Sequence, residues 1–97
     1  SIERIKNPHL KDHGETLTGY VVEAVKEEHL ILLTRKSFRR GTPLLGITPE
    51  GRECEILTDI IHTTDGQPAE DIISGKLYQV PHVKYVTAQT LVYSRSE

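Results

Sequence analysis

The sequence holds no methionine and no tryptophan, and only one cysteine and one phenylalanine among its 97 residues. A lone thiol, Cys54, excludes an intramolecular disulfide and any zinc site built from a cysteine cluster. It fits a reducing compartment, so a cytoplasmic location is expected. No apolar run approaches the ~18 residues of a membrane helix. The longest is Leu30-Ile31-Leu32-Leu33, so no membrane association is expected. Neither sign of charge dominates. Twelve Lys+Arg against 14 Asp+Glu leave a net charge of −2, which excludes a histone-like polycation. The start, Ser1-Ile2-Glu3-Arg4, has no apolar signal region. Together with the missing methionine it points to a processed product or a piece excised from a longer chain.

What is present suits one globular domain. Charged residues make up 27% and hydrophobic residues 36%, a composition that argues against disorder. No repeat or low-complexity tract interrupts it. Residues 1–16 are polar and broken by Pro8 and Gly14, which predicts a linker or edge segment; residues 17–97 are expected to form the domain.

From residue 17 onward β signals dominate. The stretch 17–25 is rich in β-branched and aromatic residues, and 29–34 carries four consecutive apolar residues. With only Lys26-Glu27-Glu28 between them, the two form a predicted hairpin. A third strand is predicted over 42–47. Thr48-Pro49-Glu50-Gly51 fits a type I turn, with proline second and glycine fourth. A fourth strand is predicted over 52–62, with a bulge or bend at the double apolar steps Ile56-Leu57 and Ile60-Ile61. Residues 69–75 read as one short helical turn ending at Gly75. A fifth strand follows over 76–80, and a sixth, split, over 85–86 and 90–93. Short strands separated by turn signals predict an all-β fold: a small closed or partly open β-barrel of about six mostly antiparallel strands. The expected core is Leu17, Val21, Val25, Leu30, Leu32, Phe38, Leu44, Ile47, Cys54, Ile56, Ile60, Leu77, Val80 and Leu91. Gly41, Pro49, Gly51 and Gly66 are expected to hold turns.

The run Arg35-Lys36-Ser37-Phe38-Arg39-Arg40-Gly41-Thr42-Pro43-Leu44, then Thr48-Pro49-Glu50-Gly51, Ile56, Asp65-Gly66 and Leu91-Val92-Tyr93, resembles the C-terminal domain of the peptidase U32 (collagenase-like) family. The order holds over about residues 17–93. Thr42 stands where that family usually has Asp, and Ser37 sits inside the first motif. The resemblance implies a six-stranded barrel appended to a larger catalytic domain that lies outside this sequence. It implies a non-catalytic accessory role, presenting a protein or RNA substrate to that domain or mediating an interaction. A similar strand–Gly–strand pattern occurs in the small barrels of translation GTPases, and an RNA-binding barrel is the alternative.

The residues that carry chemistry are few. Arg35, Lys36, Arg39 and Arg40 put four cations within six residues, joined in this reading by Arg52; they are candidates for phosphate or substrate contact, or a solvated loop. The four tyrosines, Tyr20, Tyr78, Tyr85 and Tyr93, read either as barrel-rim fillers with wet hydroxyls or as a ligand-stacking platform. His9 and His13 have i, i+4 spacing, but Pro8 and Gly14 oppose the helix that would align them. Cys54 lies between Glu53 and Glu55, whose charges oppose a thiolate. Glu27-Glu28 and Glu70-Asp71 are adjacent in sequence and on a strand would face opposite ways. No catalytic residue, metal ligand or cofactor is therefore expected within this chain.

Overall fold

The computed structural model describes residues 15–95, and all of its regular structure is β. Among the described residues there are nine strands: β1 (Glu15–Val25), β2 (His29–Thr34), β3 (Phe38–Arg39), β4 (Leu44–Ile47), β5 (Glu53–Ile56), β6 (His62–Thr63), β7 (Asp71–Ile72), β8 (Leu77–Pro81) and β9 (Leu91–Arg95). Seven form one antiparallel sheet in the order β5-β4-β9-β1-β2-β8-β6, and β3 pairs with β7 in a two-stranded sheet beside it. Among the described residues the seven-stranded sheet does not close on itself, and β5 and β6 lie at its edges. No helix long and apolar enough to cross a membrane is found among the described residues.

The long central strand β1 shapes the sheet. Its first half pairs with β9 and its second half with β2, and the register shifts once against each partner, between Leu17 and Gly19 and between Val21 and Glu23. Extra residues at such shifts bend a strand and increase its twist. The bend carries the two flanking halves around a common interior. Gly19 sits where the neighbouring backbone comes closest: a Cβ built there would lie 2.5 Å from the Leu33 carbonyl oxygen.

The predicted β1–β2 hairpin is present, closed by a Glu28 N–H to Val25 carbonyl bond of 2.9 Å, with Glu27 at φ 65°. The hairpin β4–β5 turns through the Thr48–Gly51 bond of 2.8 Å and is sealed by Thr48 N–H to Arg52 carbonyl at 2.9 Å. Gly51 supplies the positive φ (91°) that lets a type I turn re-enter the ladder. Gly66 does the same between Thr63 and Gln67, and Gly41 turns the chain after β3.

Three expected elements differ. The fourth strand is not continuous: it stops at Ile56, bends through 57–61, and resumes as β6. The stretch 69–75 is not a helical turn; Asp71 and Ile72 form β7, because Phe38 and Arg39 offer a backbone partner that a single isolated turn of helix lacks. Tyr85 and Val86 lie in a turn, and the last strand begins at Leu91.

The core is Val21, Leu30, Leu32, Leu44, Ile56, Ile61, Ile72, Tyr78, Val80, Val86 and Val92, with Ala24, Phe38, Cys54, Ala69 and Val83 packed against it. At three expected core positions the phase is off by one residue. Ile60 is 58% exposed while Ile61 is 2%; Leu77 is 45% exposed while Tyr78 is 3%; Leu91 is 40% exposed while Val92 is fully buried. Side chains alternate across a strand, so a one-residue slip exchanges the faces. Leu17, Val25 and Ile47 are also only half-buried, on the outer side. Tyr78 is no rim residue; its buried hydroxyl accepts the Ile73 N–H at 3.0 Å. Five threonines are buried, at 18, 34, 48, 58 and 90. Each hydroxyl has a partner, such as Thr34 donating to the Ile73 carbonyl at 2.6 Å and Thr58 to the Thr42 carbonyl at 2.7 Å.

The outer face carries an apolar row. Ile47, Leu91, Tyr20, Leu33 and Leu77 stand in cross-strand register over β4, β9, β1, β2 and β8. All five are half-buried or exposed. An antiparallel sheet with one solvated face ordinarily shows polar residues there.

Candidate functional site

The sheet has two ends, and the expected cations divide between them. At one end lie residues 34–43, the bend 57–61 and the turn 73–76. Arg35 and Lys36 donate their backbone N–H groups to the Thr18 carbonyl, at 2.7 and 3.1 Å, and their side chains are exposed. Arg39 Nε lies 3.5 Å from Asp71 across β3–β7. Arg40 reaches Glu70 at 3.3 Å and the Asp59 carbonyl at 3.4 Å. Two of the four loop cations therefore face carboxylates, Asp71 in β7 and Glu70 just before it. These pairs are exposed, and such pairs contribute little to stability.

Arg52 is at the opposite end. It leaves the β4–β5 turn with its backbone fixed by bonds to Thr48, and its guanidinium lies over the Tyr85 ring, 4.0 Å from the centroid. Lys84 Nζ is 5.1 Å from the same ring. Neither cation is ion-paired among the described residues. Both distances are inside the range in which a ring quadrupole attracts a cation.

The connection between β8 and β9 presents this tyrosine. Residues 83–86 form a turn closed by Val86 N–H to the Val83 carbonyl at 3.1 Å, with Tyr85 at the third position and φ 78°. A type II turn asks for positive φ there, which glycine meets without strain and tyrosine does not. Gln89 repeats the feature in the next turn, at φ 75°. Buried Val86 and Thr90 anchor the connection, and Gln89 and Thr90 bond to the Val21 backbone at 2.7 and 2.9 Å. The Cys54 thiol donates to the Lys84 carbonyl at 3.8 Å, tying the connection to β5. Cys54 is half-buried.

Beside this platform is a groove of about 340 Å³. Ala24, Val86 and Tyr85 give it apolar walls, and Lys26, Lys84 and His82 form its rim. His82 is held by its backbone to the Glu28 carbonyl at 3.4 Å.

Elsewhere, His29 and His62 line a small cleft with Glu28 at the β2–β8–β6 edge. No group of three or more His, Cys, Asp or Glu gathers among the described residues. His9 and His13 lie outside them. Of the expected contact residues, then, the structure leaves Arg35, Lys36, Arg39 and Arg40 at one end and brings Arg52 to the other. Of the four tyrosines, Tyr85 alone among those described meets two cations. Lys26, His82 and Lys84 carry no motif in the sequence; only the folding of three separate connections to one end assembles them.

No protein-family model matches the chain, and no curated protein matches its sequence. Solved structures do. Two crystal structures of the "C-terminal domain of Geobacillus thermoleovorans putative U32 peptidase", one of them its selenomethionine variant, superpose with TM-scores of 0.71 and 0.69 at 16% identity. The first match covers 84% of this chain and 91% of that domain, the second 79% and 96%. The chain thus has, over most of its length, the fold of a U32 peptidase C-terminal domain, as its turn motifs imply.

Proposed function

We propose that the chain is a non-catalytic accessory domain of a U32-type peptidase, acting by contact with other proteins. The fold likeness supports the setting. The observation that carries the role is the outer apolar row Ile47–Leu91–Tyr20–Leu33–Leu77, which crosses five strands on the face that water would otherwise cover. Contiguous exposed apolar surface on a small domain marks an interaction site. In this reading the row seats the domain on its catalytic neighbour, and the opposite functions, binding and presenting substrate, fall to the sheet's ends.

The test uses the full reading frame that encodes this chain. Deleting residues 15–95 should raise KM for a folded protein substrate and leave cleavage of a short peptide unchanged. Replacing Leu77 and Leu91 together by glutamate should have the same effect without lowering the melting temperature of the isolated chain. Unchanged kinetics in both variants refute the accessory role. So does peptide hydrolysis by the isolated chain that is lost on changing Cys54 or a histidine.

A further inference from the structure

The groove at the β4–β5 end has a chemistry that narrows its occupant. Its walls are apolar, its rim carries Lys26, Lys84 and His82, and Arg52 stands beside it on the Tyr85 ring. The complement is an anionic group joined to an apolar one. Nucleic acid and peptide both offer that combination, and three features separate them. Bases bind such sites by stacking on an open aromatic face, whereas a face of Tyr85 is already covered by the Arg52 guanidinium at 4.0 Å. A nucleic-acid strand also presents phosphates at regular intervals and favours an uninterrupted basic track. Here acidic residues interrupt the basic ones: Glu27 and Glu28 adjoin Lys26, and Glu50 and Glu53 flank Arg52. Discrete carboxylates can be placed between such neighbours; a polyphosphate chain cannot avoid them. Finally, Tyr85 is 52% exposed and holds an unfavourable φ of 78°. Strain of this kind persists where the side chain has a use.

We propose that this groove binds a short acidic–apolar peptide segment. One apolar side chain enters between Ala24, Val86 and Tyr85, and carboxylates on either side of it meet Lys84 and Arg52. The ring holds the two cations in place before binding, so less of their side-chain freedom is lost on contact. This deepens the accessory-domain reading by naming what the domain would present, and it rests on that reading for its biological meaning.

The experiment selects phage-displayed random dodecapeptides on the chain at about 150 mM salt. Recovered peptides are then measured by fluorescence anisotropy. The expected consensus is Asp or Glu adjacent to Leu, Ile or Phe. Arg52→Glu and Tyr85→Gly should each weaken binding about tenfold or more, the loss typical of an anchoring contact. Lys36→Glu, at the other end of the sheet, should leave it unchanged. Tyr85→Gly gives a second readout: the strain that glycine relieves offsets the freedom it adds to the unfolded chain, so the melting temperature should hold while binding weakens. A purely structural tyrosine would lower the melting temperature. Should Tyr85→Gly fail to fold, Arg52→Glu still decides. The proposal is overturned if no acidic–apolar consensus emerges, if the selected peptides bind both variants as well as the parent, or if an oligouridylate competes them off the site. Those failures leave the deletion kinetics untouched, and unchanged deletion kinetics leave peptide binding by the isolated chain untouched, so the two readings fail separately.

Discussion

Replacing Gly19 by alanine tests how closely β1 and β2 must approach. The added Cβ would sit 2.5 Å from the Leu33 carbonyl oxygen, 3.2 Å from Thr34 Cα and 3.3 Å from the Leu33 carbonyl carbon. Ordinary contact begins at 3.4 Å, so the strands must part by up to about 0.9 Å. All three obstructing atoms are backbone, which no rotamer change can move aside. The separation also pulls on the two bonds from Arg35 and Lys36 to the Thr18 carbonyl and on the Gly19–Thr34 end of the ladder. Overpacking of this kind costs about 1–3 kcal/mol. Losing glycine's freedom in the unfolded chain returns about 0.4–1 kcal/mol. The net expectation is a loss of about 1–2 kcal/mol. With a urea dependence of about 1–1.5 kcal/mol per molar, the midpoint should fall by about 1 M. Equivalently, the melting temperature should fall by about 5–15 °C. Urea unfolding followed by far-UV circular dichroism reads this directly. Gly66→Ala is the control: nothing lies within 4 Å of its Cβ, so only the positive φ opposes it. A Gly19→Ala midpoint equal to or above the parent's would refute the close-approach argument.

Other expectations follow from burial and bonding. Ile61→Ala should lose about 2–5 kcal/mol in the same assay, as buried isoleucines do, while Ile60→Ala stays within about 0.5 kcal/mol. Equal effects would mean that the bend at 57–61 is wrongly phased. Thr34→Val removes a hydroxyl that donates to the Ile73 carbonyl at 2.6 Å and accepts the Lys76 N–H at 3.2 Å. It should cost about 1–3 kcal/mol and speed amide exchange in the 73–76 turn, with Thr34→Ser restoring most of the loss. Labelled tRNA titrated at about 50 and 200 mM salt should show at most weak binding with a shallow salt slope, because Arg39 and Arg40 face Asp71 and Glu70. Tight low-salt binding abolished by Arg35→Glu and Lys36→Glu would instead establish the basic loop as a nucleic-acid site.

Much of the architecture is legible from local chemistry. The 26–28 turn is too short for anything but a hairpin between the apolar stretches around it, and the structure pairs Val25 with His29 across it. Thr48-Pro49-Glu50-Gly51 specifies its turn because proline fixes one dihedral and glycine permits the other. What failed are the places where two apolar residues stand together. At Ile60-Ile61, Leu77-Tyr78 and Leu91-Val92 the two-residue alternation gives no choice of face, and the bend at 57–61 and the pairing with neighbouring strands make it. The segment 69–75 failed for a different reason. Its helix signals were a few residues long, and a partner strand at Phe38–Arg39 outweighed them.

The sequence by itself determined an all-β domain, the β1–β2 hairpin, the turns at 26–28, 48–51 and 64–66 and the family likeness of its fold, because each depends on residues within a few positions of one another. Its reading of the basic residues as one group did not survive folding: β4 and β5 carry Arg52 to the far end of the sheet from the 35–40 loop. The apolar row on the outer face likewise exists only once five strands are in register. Arg52, Tyr85, Lys84 and Lys26 meet because three connections close at the same end of one antiparallel sheet. That proximity is a property of strand order and register, which non-local pairing sets and no short stretch of sequence encodes.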